Sequence, residues 1–147
     1  MDKNDFINII VDLLKEGKTT EIQAHGISMF PLLLPGDKLK ISPERTYAKG
    51  DIIVFKGKET LIAHRIISIS NTKVICKGDS LFSTDPILSE QGILGKVIGR
   101  TRKNSYRSVN HWIFRFAKQL MPRLGKFPRV IIRYTAILYL KLTHHSI

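Results

Sequence analysis

Residues 51–70, DIIVFKGKETLIAHRIISIS, contain two apolar runs separated by a short polar turn. Both runs are rich in isoleucine, which favours strands, and Gly57-Lys58 is typical of the turn between them. Similar runs lie on either side: EIQAHGI, DKLKI, KVICKG and ILGKVIG. Many short strands at this spacing predict a mainly β fold, a sandwich or a barrel, built as one domain in a chain of 147 residues.

Helical segments are predicted on both sides of this β region. The N-terminal helix occupies residues 1–18 and ends near Gly17. Its predicted apolar face consists of Phe6, Ile9, Ile10, Leu13 and Leu14. We expect the β domain to span residues 19–100 and a basic, amphipathic helical region to span 101–147, with the segment TRKNSYR at 101–107 as a linker.

Charge is distributed unevenly along the chain. Through Glu90 there are 12 Lys+Arg and 12 Asp+Glu, whereas from Gln91 onward there are 12 Lys+Arg and no acidic residue. The whole net charge of +12 therefore belongs to the C-terminal part. Such asymmetry indicates a surface that meets an anionic partner, either lipid or nucleic acid.

The last predicted helix favours lipid over nucleic acid. After Pro128 the run VIIRYTAILYLKL carries one apolar side: Ile131, Ile132, Leu138, Tyr139 and Leu142. Lys126, Arg129 and Arg133 are predicted on the opposite side. Its longest uncharged stretch is far shorter than the ~20 residues of a spanning helix, so an interfacial helix on an anionic membrane is expected through residues 105–147. Packing against the β core or a second subunit is the alternative.

The segment HGISMFPLLLPGDKLKI, residues 25–41, places Ser28 on a bend beside apolar residues. A serine hydroxyl becomes nucleophilic only when a neighbouring base takes its proton. His64 is the best placed of the five histidines, although a histidine on an apolar strand face is more often a core residue. The single cysteine, Cys76, fits a reducing compartment and a buried position. No His/Cys pair has the spacing of metal ligands, and no cofactor is indicated.

Six blocks in this order make the chain resemble the type I signal peptidase family. They are Ser28-Met29-Phe30-Pro31, Gly36-Asp37, Lys49 to Phe55, His64-Arg65-Ile66-Ile67, Lys77-Gly78-Asp79 and Gly95-Lys96-Val97. The resemblance covers roughly residues 24–100. It implies the β core that signal peptidases share with LexA-like self-cleaving repressors, and a serine endopeptidase activity without a cofactor.

Histidine at the position of the family's usual lysine makes the chain similar to the archaeal and endoplasmic-reticulum type. That resemblance implies Ser28 as nucleophile, His64 as general base and Asp85 as the acid that orients His64, with Asp79 as the alternative third member. It also implies an apolar substrate groove formed by Met29, Phe30 and Pro31.

Two departures from the family pattern affect the expected biology. The family usually begins with a transmembrane anchor, and the N-terminal segment here matches neither an anchor nor a signal peptide. We therefore expect a protein in the cytoplasm or peripheral on the cytoplasmic face of the membrane. Ser80 also stands where the histidine type often has asparagine. The competing hypothesis is a catalytically inactive relative that binds peptides or membranes through the same groove.

Overall fold

The fold is known from a computed structural model that describes residues 1–144, with side-chain surroundings through Thr143. His145 and the end of the predicted region 101–147 lie outside the described residues. The helices are α1 (Lys3–Lys15), α2 (Trp112–Leu120) and α3 (Lys126–His144), with short 3₁₀ turns at Glu90–Gly92 and Met121–Arg123. The strands are β1 (Thr20–Gln23), β2 (Lys38–Ser42), β3 (Ile52–Lys56), β4 (Leu61–Ser70), β5 (Lys73–Lys77), β6 (Leu88–Ser89), β7 (Ile93–Arg102) and β8 (Ser105–Ser108).

All eight strands belong to one antiparallel sheet. Its order is β1-β2-β7-β3-β4-β5-β6, and β8 also pairs with β7. The long strand β7 has three partners: β2 pairs along one edge, and β3 and β8 pair with different parts of the other edge. The prediction of a mainly β fold with an N-terminal helix and C-terminal helices is confirmed.

Strand β3 is buried on both faces. Ile52 and Val54 pack in an apolar cluster with α1, α2 and strands β2 and β7. Ile53 and Phe55 point the other way, into a second cluster with residues of β4, β5 and β7. Side chains alternate between the faces of a strand, so an uninterrupted apolar run fits a strand with a core on each side.

The buried face of α1 differs from the predicted one. Ile7, Ile10, Val11 and Leu14 are buried, while Phe6 and Ile9 are exposed. The four buried positions follow the 3.6-residue period, and the sequence offered two overlapping apolar faces. Asp2 caps the helix: its side chain accepts from the Asp5 N–H, and Asp5 accepts from the Asp2 N–H in return.

The predicted linker at residues 101–107 is wrong. Arg102 ends β7, and β8 begins at Ser105, so the sheet continues beyond the predicted boundary at residue 100. Lys103 and Asn104 form the turn, with φ of 47° and 64°. Positive φ at both central residues is the signature of a tight hairpin turn whose twist matches the flanking strands.

The C-terminal helices are part of the core. α2 buries Phe114 and Ala117 in the first cluster, and the guanidinium of Arg100 lies 5.7 Å from the Phe114 ring centroid. α3 buries Ala136 and Arg129 and exposes Ile131 and Leu138. The predicted polar position of Arg129 is therefore wrong, and only part of the predicted apolar side faces outward.

The described helices were also compared with the requirements of a membrane span. None of them, over residues 1–144, is both long enough and apolar enough to cross a membrane.

The buried thiol of Cys76 gives a first prediction. Burial raises its pKa from 9.0 to about 12, and the charge of Asp85 acts in the same direction. We expect no alkylation of the native protein by iodoacetamide at pH 8 and full alkylation in guanidinium, measured by mass spectrometry. Because the folded state holds this proton more tightly, the corresponding stability is lost as pH rises from 9.0 toward about 12. Rapid alkylation of the native protein would contradict this burial.

Candidate active site

A largely apolar cavity of about 530 Å³ brings Ser28 and His64 to the same place. Ser28 comes from the loop between β1 and β2, and His64 comes from β4. The N-terminal helix closes one side with Phe6 and Ile7, a contribution that the sequence did not reveal. Cavities with apolar walls and few polar groups are the usual form of a ligand site.

His64 is bonded to Asp85 inside this region. Its Nδ1 lies 2.7 Å from Asp85 Oδ2, and both side chains are largely buried. The carboxylate orients the imidazole, and a proton on Nδ1 leaves Nε2 unprotonated and able to act as a base. The ring edge also meets Phe55, with centroids 6.2 Å apart. The backbone N–H of Asp85 donates to the Cys76 carbonyl at 2.8 Å, which fixes the acid beside the end of β5.

The loop that carries Ser28 is closed at its base by backbone hydrogen bonds. The Ala24 N–H donates to the Asp37 carbonyl at 2.8 Å, and the Gly36 N–H donates to the Ala24 carbonyl at 2.9 Å. The Asp37 carboxylate accepts from the Leu34 N–H and from two nitrogens of Arg102, each of the latter at 2.7 Å. Asp37 therefore holds the turn that closes this loop and ties it to the end of β7.

Residues 78–80 support the other side of Ser28. The Ser80 N–H donates to the Ser28 carbonyl at 2.9 Å, and its hydroxyl donates to the Ile27 carbonyl at 2.6 Å. Gly78 is packed so closely that an added Cβ would lie 2.7 Å from the Ser28 carbonyl oxygen. Ser80 is completely buried. Its role in holding Ser28 could not be read from the sequence, because 52 positions separate the two serines.

Asp79 has a different partner from Asp85. Its two oxygens accept from Nε and Nη2 of Arg65, each at 2.7 Å, and the pair is almost fully buried. Arg65 also donates to the Gly50 carbonyl. The Asp79 carbonyl accepts from Nη1 of Arg129 on α3 at 3.0 Å, and Arg129 also binds the carbonyls of Met121 and Leu124. Of the two candidate acids, His64 contacts Asp85, while Asp79 joins β4 to α3.

The three predicted groove residues do not line one common cavity. Met29 lines the cavity with Ser28. Phe30 packs its ring against Tyr139 of α3, with centroids 5.7 Å apart, and Pro31 is exposed. Neither Phe30 nor Pro31 lines the cavity, so the apolar wall is instead shared with β4, for example Leu61.

Ser28 Oγ and His64 are not joined by a hydrogen bond in the described part of the chain. Catalytic hydrogen bonds often tighten only when substrate is bound. His25 lines the same cavity and is exposed, but within residues 1–144 no carboxylate is bonded to it. An oriented imidazole therefore distinguishes His64 from His25.

Burial is the main influence on the charged groups around the 77–80 segment. Burial lowers the pKa of Lys77, the charge of Arg129 lowers it further, and Asp79 opposes the shift. Burial likewise lowers the pKa of Arg129, against the effect of Asp79. No cluster of three or more His, Cys, Asp or Glu that could hold a metal ion occurs among residues 1–144.

Comparison with known proteins adds no assignment. No model of a known protein family matches this chain, and no curated protein matches it.

The hydroxyl of Ser80 gives a second prediction. Ser80→Ala removes one of the two donors to the buried Ile27 carbonyl, which keeps the Phe30 N–H, so we expect a loss of about 0.5–1.5 kcal/mol in the free energy of unfolding. Ser83→Ala, at an exposed loop position, is the matched control and should change stability by less than about 0.5 kcal/mol. Urea unfolding followed by circular dichroism measures both. Equal stability of the two variants would show that the Ser80 contact does not support the loop.

Proposed function

We propose that the chain is a serine endopeptidase of signal peptidase I type that cleaves leader-like or signal-like peptides. Ser28 is the nucleophile, His64 the general base and Asp85 the acid that orients His64. The observation that supports this best is the 2.7 Å contact between His64 Nδ1 and Asp85 Oδ2 beside a cavity lined by both His64 and Ser28.

The proposed reaction is acyl transfer in two halves. Ser28 Oγ attacks the scissile carbonyl carbon while His64 Nε2 takes the hydroxyl proton, and Asp85 stabilises the imidazolium. The tetrahedral intermediate collapses as its C–N bond breaks and His64 returns the proton to the leaving amine. Water then repeats the sequence on the acyl-enzyme and releases Ser28.

The backbone of Ser28 suits the oxyanion of this intermediate. The Ile27 carbonyl accepts from the Ser80 hydroxyl and from the Phe30 N–H, which fixes the peptide unit that carries the Ser28 N–H. The Ser28 N–H itself has no acceptor in the described part of the chain. We assign that N–H as a donor to the developing oxyanion, where a preorganised donor is worth about 10²–10³ in rate.

The cavity favours a substrate with apolar residues near the cut. Its walls include Ile22, Met29, Leu33 and Leu61, and an exposed edge is formed by Phe6 of α1. A leader-like peptide bound here would bury its apolar side chains while the scissile carbonyl meets Ser28 and His64.

The roles of the two aspartates give the third prediction. Wild-type protein should cleave a leader-like peptide, and Ser28→Ala should be inactive with unchanged stability. Asp85→Asn should lower kcat by about 10⁴-fold because the imidazole loses its orienting carboxylate, with little change in unfolding. Asp79→Asn should instead destabilise the fold by about 3–5 kcal/mol, because Arg65 is left buried without its charge partner.

Peptide cleavage followed by mass spectrometry and urea unfolding separate these outcomes. Activity that survives Ser28→Ala would overturn the proposed mechanism. Peptide binding without cleavage by the wild type would support the inactive binding relative.

The same protein is proposed to lie on an anionic membrane surface, on the cytoplasmic face. α3 exposes Phe127, Ile131, Tyr134 and Leu138, which recur at helical spacing and so share one side. No acidic residue follows Glu90, so the ionic side chains of α2 and α3 include no carboxylate. Apolar and aromatic side chains beside Lys and Arg suit the boundary between headgroups and acyl chains.

Vesicle binding provides the fourth prediction. Ile131→Ser with Leu138→Ser should reduce co-sedimentation with vesicles containing phosphatidylglycerol by about tenfold, because buried apolar area is lost. Ile9→Ser with Ile87→Ser, at positions of similar exposure, is the matched control. High salt should weaken wild-type binding. Equal sedimentation of both double variants would exclude α3 as the membrane surface.

A further inference from the structure

A second cavity, of about 490 Å³, lies between α2 and strands β3, β4 and β7. Six basic residues line it: Lys49, Arg65, Lys96, Arg115, Lys118 and Arg123. Asp51 is the one acidic residue among the lining side chains. A cleft lined by one sign of charge with low-dielectric walls concentrates ions of the opposite sign.

Three of these cations already have carboxylate partners. Arg65 binds Asp79, Lys96 lies 3.3 Å from Glu44, and Lys118 lies 2.7 Å from Asp51. The other Asp51 oxygen accepts from the Ala48 N–H, so this carboxylate has no oxygen left without a protein donor.

The remaining three cations are Lys49, Arg115 and Arg123. Within residues 1–144 their charged groups have no hydrogen-bond or ion-pair partner. They come from two separate parts of the fold, the turn before β3 and the α2 region, and they border the same cavity. Three uncompensated charges around one cavity favour a multivalent anion over a single carboxylate. Arginine forks match phosphate oxygens in two-point contacts.

The cavity has apolar residues in its walls, and the same helix α2 carries exposed aromatic residues outside it. Its walls include Ile52, Val97 and Phe114, and α2 exposes Trp112 and Phe116 on its outer side. A soluble anion would make no apolar contact with exposed aromatic rings. The headgroup of a phospholipid, in contrast, is attached to apolar chains that can contact such rings. Trp is enriched where such chains meet headgroups.

We propose that this cavity binds a phosphate group, carried either by an anionic lipid headgroup or by a soluble phosphate ester, through Lys49, Arg115 and Arg123. The site lies apart from Ser28 and His64 and does not depend on the peptidase proposal. With a lipid ligand it deepens the membrane proposal, because it adds a headgroup site beside α2 to the apolar surface of α3.

The first arm of the test uses soluble probes and full-length protein. Inorganic phosphate and glycerol 1-phosphate are titrated by calorimetry at constant ionic strength. The triple variant Lys49→Gln, Arg115→Gln, Arg123→Gln should bind at least about tenfold more weakly than wild type. The control Lys56→Gln, Lys58→Gln, Lys73→Gln removes the same charge at exposed positions outside the cavity and should stay within about twofold.

The second arm uses vesicles of phosphatidylcholine with and without phosphatidic acid. A lipid ligand predicts that the cavity variant loses binding to the phosphatidic acid vesicles while the control variant retains it. Loss confined to the soluble probes assigns the cavity to a soluble phosphate ester.

Equal behaviour of the two triple variants in both arms would overturn the proposal. The two arms also distinguish the phosphate-site proposal from the proposed membrane surface on α3. Failure of the Ile131 and Leu138 variants to alter vesicle binding leaves the soluble-probe result unaffected. Thermal unfolding of both triple variants confirms that any loss of binding comes from folded protein.

Discussion

Arg65 and Asp79 meet in a bidentate ion pair that is almost fully removed from water. Two charges can be buried together when their hydrogen bonds are satisfied, but either one alone is strongly destabilising. Both residues of the pair make a further hydrogen bond. Arg65 donates to the Gly50 carbonyl, and the Asp79 carbonyl accepts from Arg129. Together these contacts hold β4, the loop after β5 and α3 in a single arrangement.

The candidate site depends on this arrangement through its sequence neighbours. His64 precedes Arg65 on β4, and Ser80 follows Asp79 and supports the Ser28 carbonyl. Asp85 is further along the same loop and contacts His64. The backbone next to the buried Arg65–Asp79 pair therefore positions three residues of the site: His64, Asp85 and Ser80, which supports Ser28. Preorganisation of this kind lets catalytic groups act without rearranging at the moment of reaction.

The sequence predicted what depends on local patterns and missed what depends on distant contacts. The isoleucine-rich runs predicted the strands. The family resemblance, and not the position of His64 on an apolar strand, singled out His64 and Asp85, which contact each other in the structure. Arg129 was placed on a solvated helix face, because arginine is rarely buried. It is buried here because three carbonyls accept its donors, and all three belong to residues outside α3. The same limit explains why 101–107 resembled a linker. The many basic residues of this segment suggested a linker, and the two-residue turn at Lys103-Asn104 was not recognised.

Because β3 is buried on both faces, its own sequence does not determine its pairing register in the sheet. A slip of one residue would exchange Ile52 and Val54 for Ile53 and Phe55, and each cluster would still receive apolar side chains. The register of β3 must therefore be determined by the neighbouring strands. Val54 lies opposite Gly95, where an added Cβ would come within 2.6 Å of the Ser42 carbonyl oxygen. On the other side Ile53 lies opposite His64, and Ile52 lies opposite Arg65. A slip of β3 by one residue would change which of its residues lie opposite His64 and Arg65, so residues of the candidate site also help to define the register of the sheet.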